Sequence, residues 1–161
     1  VVVVGLWGTV VAQDARPQVE ASVAVRVTSG AIGAYTGKVH LPWMGRYRFA
    51  TAGGVPQGVA MRVTNAGSTS IWVIGESPEM PSISVEQQHG STWKDVPFGV
   101  CASGIKFLEL KPGQSFDFQV PLPAGARTIR VGVGYMRTLN GSAENALSDS
   151  IEIVKLKVRP N

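Results

Sequence analysis

Few residues in this chain could do chemistry, and their spacing works against it. Thiolate catalysis needs a cysteine activated by a neighbouring base. The only cysteine, Cys101 in "FGVCASG", lies far in sequence from the two histidines, His40 and His89. A small buried hydrophobe or an inert loop thiol explains that cysteine with fewer demands. The same three residues lack the close ligand spacing of a zinc site. Glu76 and Glu79 flank Pro78 in "GESPEM" and could offer oxygens to calcium, but no Asp-x-Asp pattern joins them, so a solvated loop suffices. No G-x-S-x-G marks a serine nucleophile. Gly132-x-Gly134 has two glycines of a dinucleotide fingerprint but lies inside an alternating strand pattern with no helix after it. A bulge, or the close approach of a large neighbour such as a tryptophan, explains it better. Asn140-Gly141-Ser142 fits a glycosylation sequon and equally a plain turn. The expectation is a protein that is not an enzyme, with no cofactor and no metal.

Binding chemistry has one candidate. In "HLPWMGRYRFA", Trp43, Tyr47 and Phe49 interleave with Arg46 and Arg48. Aromatic faces beside guanidinium groups can stack on sugars or hold an acidic partner. In an extended strand Arg46 and Arg48 share one face and Tyr47 and Phe49 the other, which is also how an ordinary core strand reads. The candidate partner-binding residues are therefore Trp43, Arg46 and Arg48, with a core-plus-surface strand as the competing reading.

The elements that must position these residues are strands. A chain of 161 residues supports one domain. Charged residues make up 16% of it against 19 glycines and 10 prolines, so its turns are built from backbone chemistry. The net charge of +4 is scattered, with no run of like charge, and nucleic acid is not expected as a partner. One cysteine cannot form an internal disulfide. Residues 1–12, "VVVVGLWGTVVA", are uncharged, apolar and closed by Val10-Val11-Ala12, a small-residue end that signal peptidases accept. Export to the periplasm, cell surface or medium follows as an expectation. The segment is then either a signal-peptide remnant or, with further apolar residues before Val1, a membrane anchor. Residues 13–18 read as a linker and 19–160 as the domain.

Alternation at Val19, Val23, Val25 and Val27 predicts a strand. Residues 31–55 are too rich in glycine to assign beyond an extra hairpin or an ordered loop. "GVAMRVTNAGSTSIWVIG" predicts strand, turn, strand. "SISVEQQHGSTWKDVP" predicts a second hairpin turning at His89-Gly90-Ser91. In "LELKPGQSFDFQVPLP", Pro112 and Gly113 predict a type II turn of structural purpose, followed by Phe116, Phe118 and Val120 alternating with Ser115, Asp117 and Gln119. "RTIRVGVGYMRTL" and "DSIEIVKLKVRP" add two more strands, and no segment sustains a helical period.

The pattern Leu110-x-Pro112-Gly113-x-Ser115, the "PLPAG" corner and "RTIRVGVGY" resemble the late strands of immunoglobulin-like and fibronectin type III-like modules in exported bacterial proteins. "VAMRVTNAGSTSIWVIG" resembles the hairpin that opens such modules, with Trp72 as the candidate core aromatic. The resemblance spans residues 58–160. It implies an all-β, antiparallel immunoglobulin-like β-sandwich of about seven to nine strands, preceded by the apolar segment. Tyr135 is the candidate for the tyrosine-corner place, though it lies late in its strand. The lack of paired cysteines sets the chain apart from antibody-type domains. Such a fold specifies no activity. The implied function is a non-catalytic exported module that binds a protein or a cell-surface polymer. An inhibitor or assembly chaperone acting by edge-strand addition is the alternative, and an enzyme using Cys101 the third.

Overall fold

The fold is described for residues 25–37, 48–97 and 104–153 of a computed structural model. Within them every regular element is a strand, and all pairings are antiparallel. The smaller sheet places β3 (Val55–Asn65) between β1 (Val25–Ala34) and β9 (Ser115–Pro121), while β2 (Thr51–Ala52) folds onto the start of β3. Period-2 alternation decides the faces. Val59, Met61 and Val63 of β3 point into the core, and Ala60, Arg62 and Thr64 point out.

The larger sheet is built around β10 (Thr128–Met136). On one side β4 (Ile71–Ser77) and β6 (Ile83–His89) lie end to end against it. Val73 faces Tyr135, and residues 83–87 face 133–129. Between them the chain detours through β5 (Met80–Pro81), which folds back on β4. The amide of Gly134 donates to the Ser82 carbonyl and closes the joint (3.0 Å). Outside this row lie β8 (Lys106–Leu110) against β4 and β7 (Thr92–Val96) against β6. On the other side of β10, β11 (Glu144–Leu147) and β12 (Ile151–Glu152) complete the sheet. Among the described residues twelve strands therefore replace the seven to nine expected. Three of them are two residues long, and three sheet rows, β4 with β6, β7 with β8 and β11 with β12, are each split into separate strands.

The sheets share one core. Val27, Val59, Met61, Val63, Phe118 and Val120 from the smaller pack with Ile71, Val73, Val85, Ile129, Val131 and Val133 from the larger. Burial of side chains this size contributes about 1.5–3 kcal/mol each, and it fixes the register, since a one-residue slip would turn each strand inside out.

Of the four buried polar residues among those described, Gln57, Asn65, Thr128 and Ser148, Asn65 is the one with no exposure. Asn65 ends β3, and its Nδ2 donates to the carbonyls of Thr69 and Leu110, both at 2.8 Å, while Oδ1 accepts from the Gly67 amide at 3.0 Å. Its backbone carbonyl accepts from the Gly113 amide at 2.8 Å. The Pro112-Gly113 turn thus docks on the end of β3. Its closing bond runs from the Gln114 amide to the Lys111 carbonyl at 3.0 Å, and Gly113 has φ of 76°. Only glycine adopts that conformation freely. Gly113→Val is expected to cost about 1–3 kcal/mol, read from the denaturant midpoint. Unchanged stability with altered binding would make this turn a working site instead of scaffold.

Candidate functional site

The outward face of the larger sheet is unusually apolar along its β4 side. Antiparallel register sets Trp72 beside Met136, and Ile74 beside Phe107. Phe107 is 51% exposed and Ile105, two residues before it, 46%, while Leu147, exposed at 44%, lies across β10 on β11. Trp72 is therefore not the core aromatic that the sequence led us to expect. Ile71 and Val73 point inward at 0% exposure, so strand alternation sends the indole between them to the outer face, half-buried. Exposed sheet faces are ordinarily polar, and this strip departs from that pattern.

Away from this strip the same face is polar and internally bonded. Glu86 accepts from Arg130, whose guanidinium lies 4.5 Å from the Trp93 ring centre. Asn145 reaches across Gly132, its Nδ2 donating to Ser84 Oγ at 3.0 Å. A Cβ on Gly132 would stand 2.4 Å from both side chains. The neighbour that Gly132 admits is thus an asparagine bridge, where the sequence suggested a tryptophan. On the opposite, core-facing side at the end of β10, Tyr135 donates to Glu144 Oε2 (2.7 Å), and Arg137 forks onto the same carboxylate (2.7 and 3.1 Å). Arg137 and then Tyr135 hold the Glu144 carboxyl below its ordinary range, while burial first and Glu144 second push the Tyr135 hydroxyl up. The Tyr135 hydroxyl bonds this glutamate side chain on the next strand, whereas a tyrosine corner bonds backbone upstream.

The outward face of the smaller sheet carries a groove of about 390 Å³, lined by Thr28, Ser29, Gly30, Ala60, Met61, Arg62 and Asp117. Its floor is low because Gly30 and Ala60 stand side by side across β1 and β3. A Cβ on Gly30 would be 3.4 Å from that of Ala60. One wall is the row Thr28, Arg62, Asp117, set opposite one another by register. Arg62 forks onto Asp117, Nε to Oδ1 at 2.7 Å and Nη2 to Oδ2 at 2.9 Å. Hydrogen bonding to Arg62 lowers the Asp117 pKa, and both side chains remain more than half exposed. On the far side, Tyr35 packs over Gly58, two residues along the same face of β3 from Ala60. Burial pushes its hydroxyl up to about 12. Beside it the Thr36 amide and hydroxyl both donate to Gln119 Oε1 (2.9 and 3.1 Å). β1 shifts register between Ser29 and Ile32, next to the groove.

Of the residues proposed from sequence for partner binding, Arg48 is exposed, and its carbonyl accepts from the Ala124 amide at 2.7 Å. Phe49 beside it is half-buried and bridges to Pro123. Trp43, Arg46, Tyr47, His40 and Cys101 lie outside the described residues, as do residues 1–24. His89 is exposed at the end of β6, next to the turn at Gly90. Among the described residues no three His, Cys, Asp or Glu side chains gather as metal ligands, and no helix is long and apolar enough to cross a membrane. The groove was missed from the sequence because its two charges are 55 residues apart. The one signal was that Arg62 and Asp117 each occupy the polar phase of an alternating strand.

Neither a protein-family profile nor a curated protein sequence matches this chain. Among solved structures, a Bordetella pertussis protein designated ApaA is similar at 17% identity, over 80% of this chain and 91% of that one, with a TM-score of 0.44.

Proposed function

We propose that this protein is a non-catalytic, immunoglobulin-like, exported module that binds a protein partner through the outer face of its larger sheet. The strand order supports the immunoglobulin-like reading: a three-strand layer β1-β3-β9 faces a layer centred on β10 and the β4/β6 row. Export rests on the apolar residues 1–12 alone. The observation that carries the binding reading is the outward strip of Trp72, Ile74 and Phe107, with Ile105 beside it. Aromatic side chains are the usual anchors of protein interfaces, because they bury much area for little lost side-chain freedom. Edge-strand addition has less support at β1, where the bulge between Ser29 and Ile32 breaks the regular edge that a docking strand needs.

Phe107→Ser tests this reading. Its ring is half in solvent, so the change is expected to move stability by less than about 1 kcal/mol. Loss of an interface anchor should weaken capture of the partner from an envelope fraction by about tenfold or more. Capture by this variant equal to wild type overturns the reading. Capture lost instead in Arg46→Ala/Arg48→Ala moves the interface to residues 40–50.

A further inference from the structure

We propose that the groove on the outer face of the smaller sheet is a binding site for neutral carbohydrate, separate from the apolar strip on the opposite face of the molecule. Its floor is the Cα of Gly30 and the methyl of Ala60, two small apolar surfaces at one level. That floor suits the C–H face of a pyranose ring. A flat protein surface could not reach it past the flanking side chains. The walls supply what sugar hydroxyls need. Arg62 and Asp117 hold each other in a fork that leaves the second guanidinium nitrogen and the outer carboxylate lone pairs toward solvent. Donor and acceptor then stand side by side with their charges cancelled, which matches a vicinal diol, each of whose hydroxyls both gives and takes a hydrogen bond. An anionic ligand would have to displace Asp117 from Arg62 and leave that carboxylate facing like charge. Thr28 and Ser29 add hydroxyls that make no hydrogen bond within the described residues. Outside that lining, Gln119, the register partner of Ala60, spends its amide oxygen on Thr36 and keeps its NH2 group as a donor.

The groove crosses the strands and opens to solvent, so the fitting ligand is one or two residues of a chain that continues past it. The test uses the full chain, ¹⁵N-labelled, titrated with cellohexaose, mannohexaose and chitohexaose as neutral probes and with hexagalacturonate as the anionic one. At least one neutral probe should shift the amides of Thr28, Ser29, Gly30, Ala60, Arg62 and Asp117 saturably, while hexagalacturonate leaves them still. Ala60→Leu fills the floor at a partly buried, outward-pointing position and should weaken that binding by about tenfold or more while keeping the spectrum of a folded protein. Arg62→Lys keeps the charge but loses the fork, and should weaken it by about tenfold. The proposal is overturned if none of the neutral probes moves these amides, if hexagalacturonate moves them equally, or if Ala60→Leu binds like wild type. Phe107→Ser should bind the oligosaccharide unchanged, which separates failure here from failure of the protein-binding reading.

Discussion

Asn65→Ala is expected to destabilise the domain by about 2–4 kcal/mol, among the largest effects of any single polar truncation in it. The side chain is fully buried and joins three segments: the turn after β3, the end of β8 and its own strand. Removing it affects the three partners unequally. Thr69 is exposed and its carbonyl can turn to water. The Leu110 carbonyl lies in a residue only 4% exposed. It would lose the donor it has, and a buried acceptor without a partner costs about 1–3 kcal/mol. Release of the Gly67 amide and the void left by the side chain add the remainder. Asn65→Asp separates the hydrogen bonds from the packing. It keeps the shape and the acceptor for Gly67 but sets a carboxylate against the Leu110 and Thr69 carbonyls, which raises its pKa in the folded state. A raised acid binds more protons folded than unfolded, so this variant should be least stable at neutral pH and recover as pH falls through the raised value. Urea midpoints at several pH values check both variants. An Asn65→Ala midpoint equal to wild type would mean that the clasp is dispensable.

The strands were legible because their side chains alternate. In β9, Ser115, Asp117 and Gln119 were predicted outward and Phe116, Phe118 and Val120 inward, and the buried faces of β3 and β10 follow the same rule. Where the sequence does not alternate, the face cannot be read from it. Ile71-Trp72-Val73-Ile74 and Phe107-Leu108 are unbroken apolar runs, and either phase satisfies the pattern. Burial of Ile71 and Val73 put Trp72 outside, and the apolar strip went unseen for that reason. The β5 detour was invisible for another reason. A two-residue strand carries no period, and its place depends on the end-to-end arrangement of β4 and β6 along β10. The groove needed still more distant information. Its floor exists only because β1 and β3 bring Gly30 and Ala60 together beside a bulge, and its wall only because β3 and β9 align Arg62 with Asp117. Alternation names the residues of a face, whereas register decides which of them meet.

Phe118→Ala is expected to cost about 3–5 kcal/mol, the range for emptying a buried aromatic site, while Phe116→Ala should cost clearly less. Both rings occupy the inward phase of β9, so alternation alone treats them alike. The structure separates them. Phe118 is 5% exposed, inside the cluster that joins the two sheets, and Phe116 is half-buried beside it, with ring centres 6.4 Å apart and planes tilted by 57°. Truncating Phe118 leaves a void that the paired backbones of β3 and β9 cannot close, because their ladder is continuous on either side of it. Truncating Phe116 opens a site that water already borders. Since the rings touch at the edge-to-face distance, the double variant should differ from the sum of the singles by about 0.5–1.5 kcal/mol. A typical domain has only about 5–15 kcal/mol in total, so Phe118→Leu, which keeps most of the volume, guards against outright unfolding and should fall between wild type and Phe118→Ala. Equal losses at 116 and 118 would place both rings at the same depth, and the smaller sheet would then have to sit further over the larger along β9 than it does here.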